Sequence, residues 1–274
     1  MGKNIELCHQ IDTREKQVSL TLHSNLRDKM NTLSVITVTY NAEHTLERTL
    51  KSVREQTHPH IQHVIVDGKS TDETVNLIRK YENSHLTWIS EPDNGLYDAM
   101  NKAINMATGD YLCFLNAGDT FHEPDTVEKM MRSFIEGQPL DILYGETAIV
   151  DDNGRFLHMR RLKVPERLTW KSFKQGMVVC HQAFIVKREL AIPYDLSYRF
   201  SSDFDWCIRM TKKVRTLLNT HLILINYLNE GLTTTNRKAS LKERYRIMAK
   251  HYGHISTFLH HAWFIIRAII NPEK

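Results

Sequence analysis

The chain has 274 residues, 41% hydrophobic and 25% charged, enough to bury a full core in one large domain or one domain with appendages. Its 36 basic and 32 acidic residues leave a net charge of only +4, too small to imply nucleic acid as a partner. The four cysteines, Cys8, Cys113, Cys180 and Cys207, form no CxxC pair, so neither a zinc site nor a disulfide framework is indicated, and a reducing cytoplasm fits best.

Residues 1–31 are polar and mixed in charge, which reads as a mobile arm or a loosely docked helix outside the core. The opening MGKNIELCHQIDTREKQ lacks the apolar segment of a secretory signal, and Glu6 breaks the myristoylation pattern. No stretch approaches the roughly 20 apolar residues that a membrane-spanning helix needs.

From Leu33 the run LSVITVTYN predicts a strand, and Ala42 to Gln56 carries Leu46, Leu50 and Val53 at helical spacing. A second strand, Ile61 to Val66, ends in Asp67-Gly68-Lys69-Ser70-Thr71-Asp72 and precedes a helix through Val75, Leu77 and Ile78. A third, Leu86 to Ser90, leads through Glu91-Pro92-Asp93-Asn94-Gly95 into a helix from Leu96 to Ala107. The fourth, Tyr111 to Leu115, runs into Asn116-Ala117-Gly118-Asp119. This alternation predicts an α/β fold, a Rossmann-like and mostly parallel sheet with helices on both faces. Every polar cluster falls at the carboxyl end of a strand, where such sheets collect their ligands.

Beyond Asp119 the pattern changes. A helix is expected over Pro124 to Glu136, and Leu140 to Val150 with Phe156 to Leu162 flank the hairpin signature Asp151-Asp152-Asn153-Gly154. A strand over Val178 to Val186 contains Cys180-His181-Gln182, a helix over Ser202 to Lys213 opens with Asp203 and Asp205, and Leu217 to Leu228 is strand-like. These add a smaller antiparallel portion. Gly231 to Thr235 reads as a loop, and Leu241 to His251 as a basic helix. Ile255 to Ile270 reads as an amphipathic, unusually apolar helix that packs on the domain, pairs with another subunit or lies in a membrane surface. Arg237, Lys238, Lys242, Arg244, Arg246 and Lys250 suit an anionic leaflet.

The loops carry residues suited to a nucleotide. Thr39, Tyr40 and Asn41 border a pocket in which Asp67, on one loop with Ser70, can accept a hydrogen bond from a ring N–H of uracil or guanine; its alternative role is a turn former or helix N-cap. Asp119 with Asn116 would hold a hard divalent cation, Mn²⁺ or Mg²⁺, shared with phosphate oxygens and water. Asp93 suits the sugar side. Around Gly95, the residues Asp98, Asn101 and Lys102 lie within one turn of each other at a helix start beside that loop.

Thr39-Tyr40-Asn41, Val66-Asp67-Gly68-x-Ser70-x-Asp72-x-Thr74, Ser90-Glu91-Pro92-Asp93-x-Gly95-x-Tyr97-Asp98-Ala99-Met100-Asn101-Lys102 and Phe114-Leu115-Asn116-x-Gly118-Asp119 stand in one order. Together they resemble family 2 glycosyltransferases of the GT-A fold, and within them bacterial exopolysaccharide enzymes of the colanic acid type, over roughly residues 33–235. The resemblance implies inverting transfer from a nucleotide-diphosphate sugar, with UDP or GDP as the nucleotide, to a lipid-linked saccharide acceptor at the cytoplasmic side of the membrane. It implies Asp67 at the base, Asp93 and Asp98 along donor sugar and diphosphate, and Asp119 as the last carboxylate of a metal motif. Asp203 is implied as the general base, with Asp205 as its alternative, and His181 as a contact to diphosphate or acceptor. The chain departs from the family in two places. Asn116-Ala117-Gly118-Asp119 replaces an Asp-x-Asp or Asp-Asp motif, and Ser202-Asp203 replaces Glu-Asp.

The expected organisation is an arm over 1–31, a glycosyltransferase domain over 32–235 divided into a nucleotide-sugar half (32–120) and an acceptor half (121–235), and C-terminal helices over 236–274. Two other functions fit parts of the chain. A non-catalytic partner of a polysaccharide assembly complex needs the donor pocket but not both Asp119 and Asp203. A nucleotidyltransferase wants a glycine-rich, basic loop near strand one, and Thr39-Tyr40-Asn41-Ala42-Glu43 offers none.

Overall fold

The structure, a computed structural model, describes residues 31–134, 140–229 and 237–270. The expectations for the arm over 1–30, the end of the helix at Glu136 and the loop Gly231 to Thr235 lie outside these residues. Within them nine strands form one sheet in the order β3 (Leu86–Ser90), β2 (Ile61–Asp67), β1 (Leu33–Thr39), β4 (Tyr111–Phe114), β8 (Phe184–Lys187), β6 (Ile142–Val150), β9 (Leu217–Leu228), β5 (Thr120–Phe121), with β7 (Phe156–Met159) paired to β6.

Strands β1 (Leu33–Thr39), β2 (Ile61–Asp67), β3 (Leu86–Ser90) and β4 (Tyr111–Phe114) pair in parallel. Because β1 is flanked by β2 on one side and β4 on the other, the chain reverses direction there, and the carboxyl ends of these strands open on a crevice. All of β1 is buried, as expected for a strand covered on both faces. Its residues alternate. Ile36 and Val38 face the cluster holding Tyr97, Met100 and Ala103 of α3 (Leu96–Met106) and Phe204 and Ile208 of α5 (Ser202–Lys213). Leu33 and Val35 face the other side with Val53 of α1 (Leu46–Arg54). Each such side chain contributes about 1.5–3 kcal/mol by burial. Helix α2 (Thr74–Lys80) covers β2 beside α1 through Ile78, Ile65, Leu46 and Leu50.

The second half is mixed. β5 (Thr120–Phe121) is antiparallel to β9 (Leu217–Leu228), and β6 (Ile142–Val150) is antiparallel to β7 (Phe156–Met159) and to β8 (Phe184–Lys187) but parallel to β9. Several short features depart from the expected pattern. The strand expected over Val178 to Val186 is confined to β8, and His181–Ala183 form a 3₁₀ turn. Side-chain bonding explains this, since His181 and Gln182 are buried and bonded to Tyr194 and Asp119, which an extended strand with alternating directions would not allow. The helix expected from Ala42 begins only at Leu46, because the Ala42 carbonyl accepts from both Thr45 N and Leu46 N in a preceding turn. Helix α4 (Thr126–Met131) is also shorter than expected. The chain's C-terminal hairpin consists of α6 (Arg237–Tyr252) and α7 (His254–Ile270), joined at Gly253.

Candidate active site

At the carboxyl ends of β1 and β2, two non-glycine residues, Asn41 (φ 48°) and Lys69 (φ 64°), adopt the left-handed region. Cross-loop bonds hold this backbone. Asn41 N donates to Ser70 Oγ at 2.8 Å, Thr71 N donates to Asn41 Oδ1 at 2.9 Å, and Gly68 N donates to Thr39 O at 2.9 Å. Asp67 organises the turn. Its carboxylate accepts from Ser70 N at 3.0 Å, from Ser90 Oγ at 2.6 Å and from the Ser70 hydroxyl. It is 0% exposed, so the direct bond to a base expected for it is not open in this conformation, and Ser70 covers it. Tyr40, by contrast, is 63% exposed. Gly68 has no room for a side chain: a Cβ there would lie 2.5 Å from Asp93 Oδ2 and 3.4 Å from the Tyr40 ring. Tyr40, Gly68 and Asp93 therefore form one wall.

Asp93 Oδ1 accepts from Gly95 N at 2.8 Å, and Asp98 Oδ2 accepts from Asn94 N at 2.9 Å, so this pair shapes the start of α3. Lys102 bonds Glu91 at 2.8 Å and the Pro92 carbonyl at 2.8 Å, and the bond to Glu91 raises its pKa. Asn101 is placed differently from expectation. Its amide exchanges two bonds with the backbone of Tyr194, at 3.1 and 2.7 Å, and thereby ties α3 to the segment that precedes α5. His181 is likewise bonded to Tyr194. It is buried, stacked on Phe114 with ring centroids 4.8 Å apart, and bonded through Nε2 to Tyr194 OH at 2.5 Å. Burial lowers its pKa to about 4, so it is neutral.

The turn after β4 is bonded into the fold. Asp119 is buried with both oxygens occupied: Oδ2 accepts from Gln182 Nε2 at 2.7 Å and Oδ1 from Leu228 N at 2.9 Å. The carboxylate thus joins the end of β4 to the 3₁₀ turn and to β9. Thr49 of α1 secures the same turn, accepting from Gly118 N at 2.9 Å and donating to the Asp119 carbonyl at 2.8 Å. Gly118 (φ 99°) is required there, since a Cβ would meet Leu228 Cδ2 at 2.7 Å. Asp119 therefore acts as a structural staple here, bonded to Gln182 and to the Leu228 backbone. Among the described residues no group of three His, Cys, Asp or Glu is arranged to hold a metal ion. What the turn offers is the amide of Asn116, whose Oδ1 is buried with no hydrogen-bond partner. One neutral oxygen does not fit a resident divalent cation, so no catalytic step is assigned to one.

Burial raises the Asp119 pKa to about 7, against the opposing bonds from Leu228 and Gln182 and the charge of Arg48. The folded value lies above the unfolded 3.8, so this group's stabilising contribution is complete below 3.8 and lost as pH rises through 7. Asp119→Asn is expected to gain stability relative to the parent by up to about 4 kcal/mol as pH rises across this window, measured by urea unfolding. An offset independent of pH would contradict the staple, as would tight Mn²⁺ binding to the empty parent lost in the variant.

Asp203 lies in the first turn of α5, where the helix dipole favours a carboxylate. It is half-buried, and Oδ1 accepts from Tyr97 OH at 2.9 Å. It is not the helix cap, since Ser201 occupies that position. Tyr97 stacks on Tyr194, which stacks on Trp206, so an aromatic floor supports the pair. Burial and the Asp203 charge hold the Tyr97 phenol protonated far above its usual range. Asp205 points elsewhere. It is 0% exposed and bonded to Arg209 Nε at 2.5 Å and His251 Nε2 at 2.9 Å, with Lys250 Nζ at 3.5 Å. The expectation that Asp205 competes for the base role is corrected: it ties α5 to α6.

Sequence reasoning missed Thr49 and Tyr194, and it gave Ser90 and Tyr97 as motif positions without a role. For Thr49 a signal existed, because a polar residue falls on the same helix face as Leu46, Leu50 and Val53.

The profile of Glycosyl transferase family 2 matches residues 34–192. A PGL/p-HBAD biosynthesis glycosyltransferase of Mycobacterium bovis is 34% identical over 211 residues, spanning 74% of this chain and 79% of the relative. The putative teichuronic acid biosynthesis glycosyltransferase TuaG of Bacillus subtilis is 29% identical over 220 residues, spanning 77% and 84%. Among solved structures, S. aureus TarS 1-349 in complex with UDP-GlcNAc superposes with a TM-score of 0.66 at 21% identity, covering 79% of this chain and 64% of that one. The mannosyltransferase PcManGT from Pyrobaculum calidifontis in complex with GDP-Man and Mn²⁺ gives a TM-score of 0.56 at 17% identity, covering 89% and 76%. These two likenesses establish the GT-A fold of the chain.

Proposed function

We propose a reaction for a chain that belongs to glycosyl transferase family 2 and is a glycosyltransferase: it moves a sugar from a UDP- or GDP-sugar to a saccharide acceptor, with inversion and with Asp203 as the general base. The observation that carries this reading is the 2.9 Å bond from Tyr97 to Asp203. It sets one carboxylate of the acceptor half against the donor loop Asp93–Asp98 and leaves its second oxygen for the acceptor. In a single displacement Asp203 takes the proton of the acceptor hydroxyl. The acceptor oxygen bonds the anomeric carbon as the bond from that carbon to the diphosphate breaks, and the diphosphate leaves with its electron pair.

Thr39, Tyr40, Asn41, Asp67 and Ser70 form the nucleotide side of the crevice, and Asp93, Gly95, Asp98, Lys102 and Asn116 the sugar and diphosphate side. A divalent cation, such as the Mn²⁺ of the mannosyltransferase, would be carried by the donor's own phosphates beside Asn116 rather than by Asp119. The names of the relatives, which concern PGL and teichuronic acid synthesis, support an acceptor in surface-polysaccharide assembly. We read it as a lipid-linked saccharide met at the inner face of the cell membrane.

A panel of nucleotide sugars tests the donor. At a hundredfold excess over Kd the matching donor stabilises the fold by about 2.7 kcal/mol, which for a domain of this size raises Tm by about 5–10 °C. No response to any UDP- or GDP-sugar would overturn the reading.

A further inference from the structure

The C-terminal hairpin presents an apolar stripe that the domain does not cover. On α7, Ile255 (81% exposed), Phe258 (65%), Leu259 (61%), Trp263 (50%) and Ile266 (46%) stand in solvent. Their spacing, i, i+3, i+4, i+8 and i+11, puts them on one face of the helix. The opposite face does the packing. Thr257 is buried, and His261 meets the Tyr245 ring of α6 at 5.2 Å and the Phe264 ring at 5.4 Å. A surface helix ordinarily turns its polar side outward, and α7 turns apolar residues both ways. Such a contiguous patch marks an interaction site.

Charge identifies the occupant. On α6, Lys238, Lys242, Arg246 and Lys250 recur every four residues and all are exposed, forming a basic row along one face. Lys238 and Lys242 make no ion pair among the described residues, and Lys250 shares Asp195 and Asp205 at 3.5 Å. The only acid within the two helices, Glu243, is turned inward to accept from Arg199 N and Phe200 N at 2.8 Å each. A second copy docked through this hairpin would bring two basic rows together without acids to answer them. No helix among the described residues is long and apolar enough to cross a membrane.

We infer that the α6–α7 hairpin is an in-plane docking surface for an anionic bilayer: the stripe from Ile255 to Ile266 enters the acyl boundary and the basic row meets lipid phosphates. The inference extends the reading of a lipid-linked acceptor and rests on it only for the benefit to catalysis, because the surface itself is argued without donor or acceptor.

The test is co-sedimentation of the full chain, without substrates, with vesicles of phosphatidylcholine alone and of phosphatidylcholine mixed equally with phosphatidylglycerol. The expected result is pelleting with the mixed vesicles, weakened by salt, together with quenching of Trp263 fluorescence by brominated lipid. Phe258→Ser with Trp263→Ser should reduce partitioning at least about tenfold. Lys238→Glu with Lys242→Glu should abolish the preference for anionic vesicles. Both double variants should keep the parent's circular dichroism and its turnover of a water-soluble acceptor, so loss of vesicle binding is separable from failure of the transferase reading. Equal binding to neutral vesicles would overturn the inference. So would absence of vesicle binding, with or without a dimer in light scattering that the apolar double variant dissociates.

Discussion

Asp203→Asn is expected to lower kcat by about 10²–10⁴ while leaving the Kd for the nucleotide sugar unchanged. The amide keeps the size of the side chain and can still accept from Tyr97, which now donates at 2.9 Å, so the aromatic floor and the crevice are preserved. What disappears is the capacity to take a proton. A loss in kcat alone identifies a group needed in the transition state, whereas a parallel loss of donor affinity would mean that the substitution had disturbed the binding loops. Unchanged turnover would remove Asp203 from the base role, and the buried, fully bonded Asp205 could not replace it. A non-catalytic partner that merely holds the donor would show no transfer in the parent and no difference in the variant.

Asp205→Ala is expected to act on stability instead. Removing one partner from a buried ionic cluster typically costs about 3–5 kcal/mol, and here it leaves Arg209 and His251 without their carboxylate between α5 and α6. Burial by itself raises the Asp205 carboxyl, but the bonds from His251 and Arg209 and the charges of Arg209 and Lys250 outweigh it and hold the pKa at about 2. Because this folded value lies below the unfolded 3.8, the contribution is fully present above 3.8 and lost as pH falls through about 2. Urea unfolding should therefore show a large deficit in the variant at neutral pH that narrows by about 2–3 kcal/mol on acidification into that range. A variant as stable as the parent, or one that loses turnover while fully folded, would contradict the division of labour between the two aspartates.

The parallel half was legible because its signals are local. Leu33 to Thr39, Ile61 to Asp67 and Leu86 to Ser90 form the expected strands, the helix from Leu96 begins where Gly95 indicates, and the loops converge on one crevice because strand order and strand direction leave them no other edge. Side-chain orientation was not legible in the same way. Asp119 stands where a metal motif would end, yet its partners are Gln182 and the backbone of Leu228, 63 and 109 residues away, and no local pattern announces such a bond. Asp203 and Asp205 are two apart on a helix and so project in different directions, one to Tyr97 and one to α6. Asn101 suggests a ligand contact by its place at a helix start beside the crevice, and His181 by the resemblance, as a contact to diphosphate or acceptor. Both are absorbed by Tyr194, whose position depends on how residues 188–201 fold back over the sheet. The apolar character of α7 was evident in the sequence, but which of its faces remains open depends on Thr257, His261 and Phe264 meeting the rest of the domain.

Product stereochemistry tests the displacement most directly. With a donor of known anomeric configuration, the new linkage is read from the anomeric proton coupling of the purified product. One base on the acceptor side and one displacement predict the opposite configuration to that of the donor. A product that retains the donor's configuration would contradict the account, because retention requires chemistry that a single proton acceptor at Asp203 does not supply.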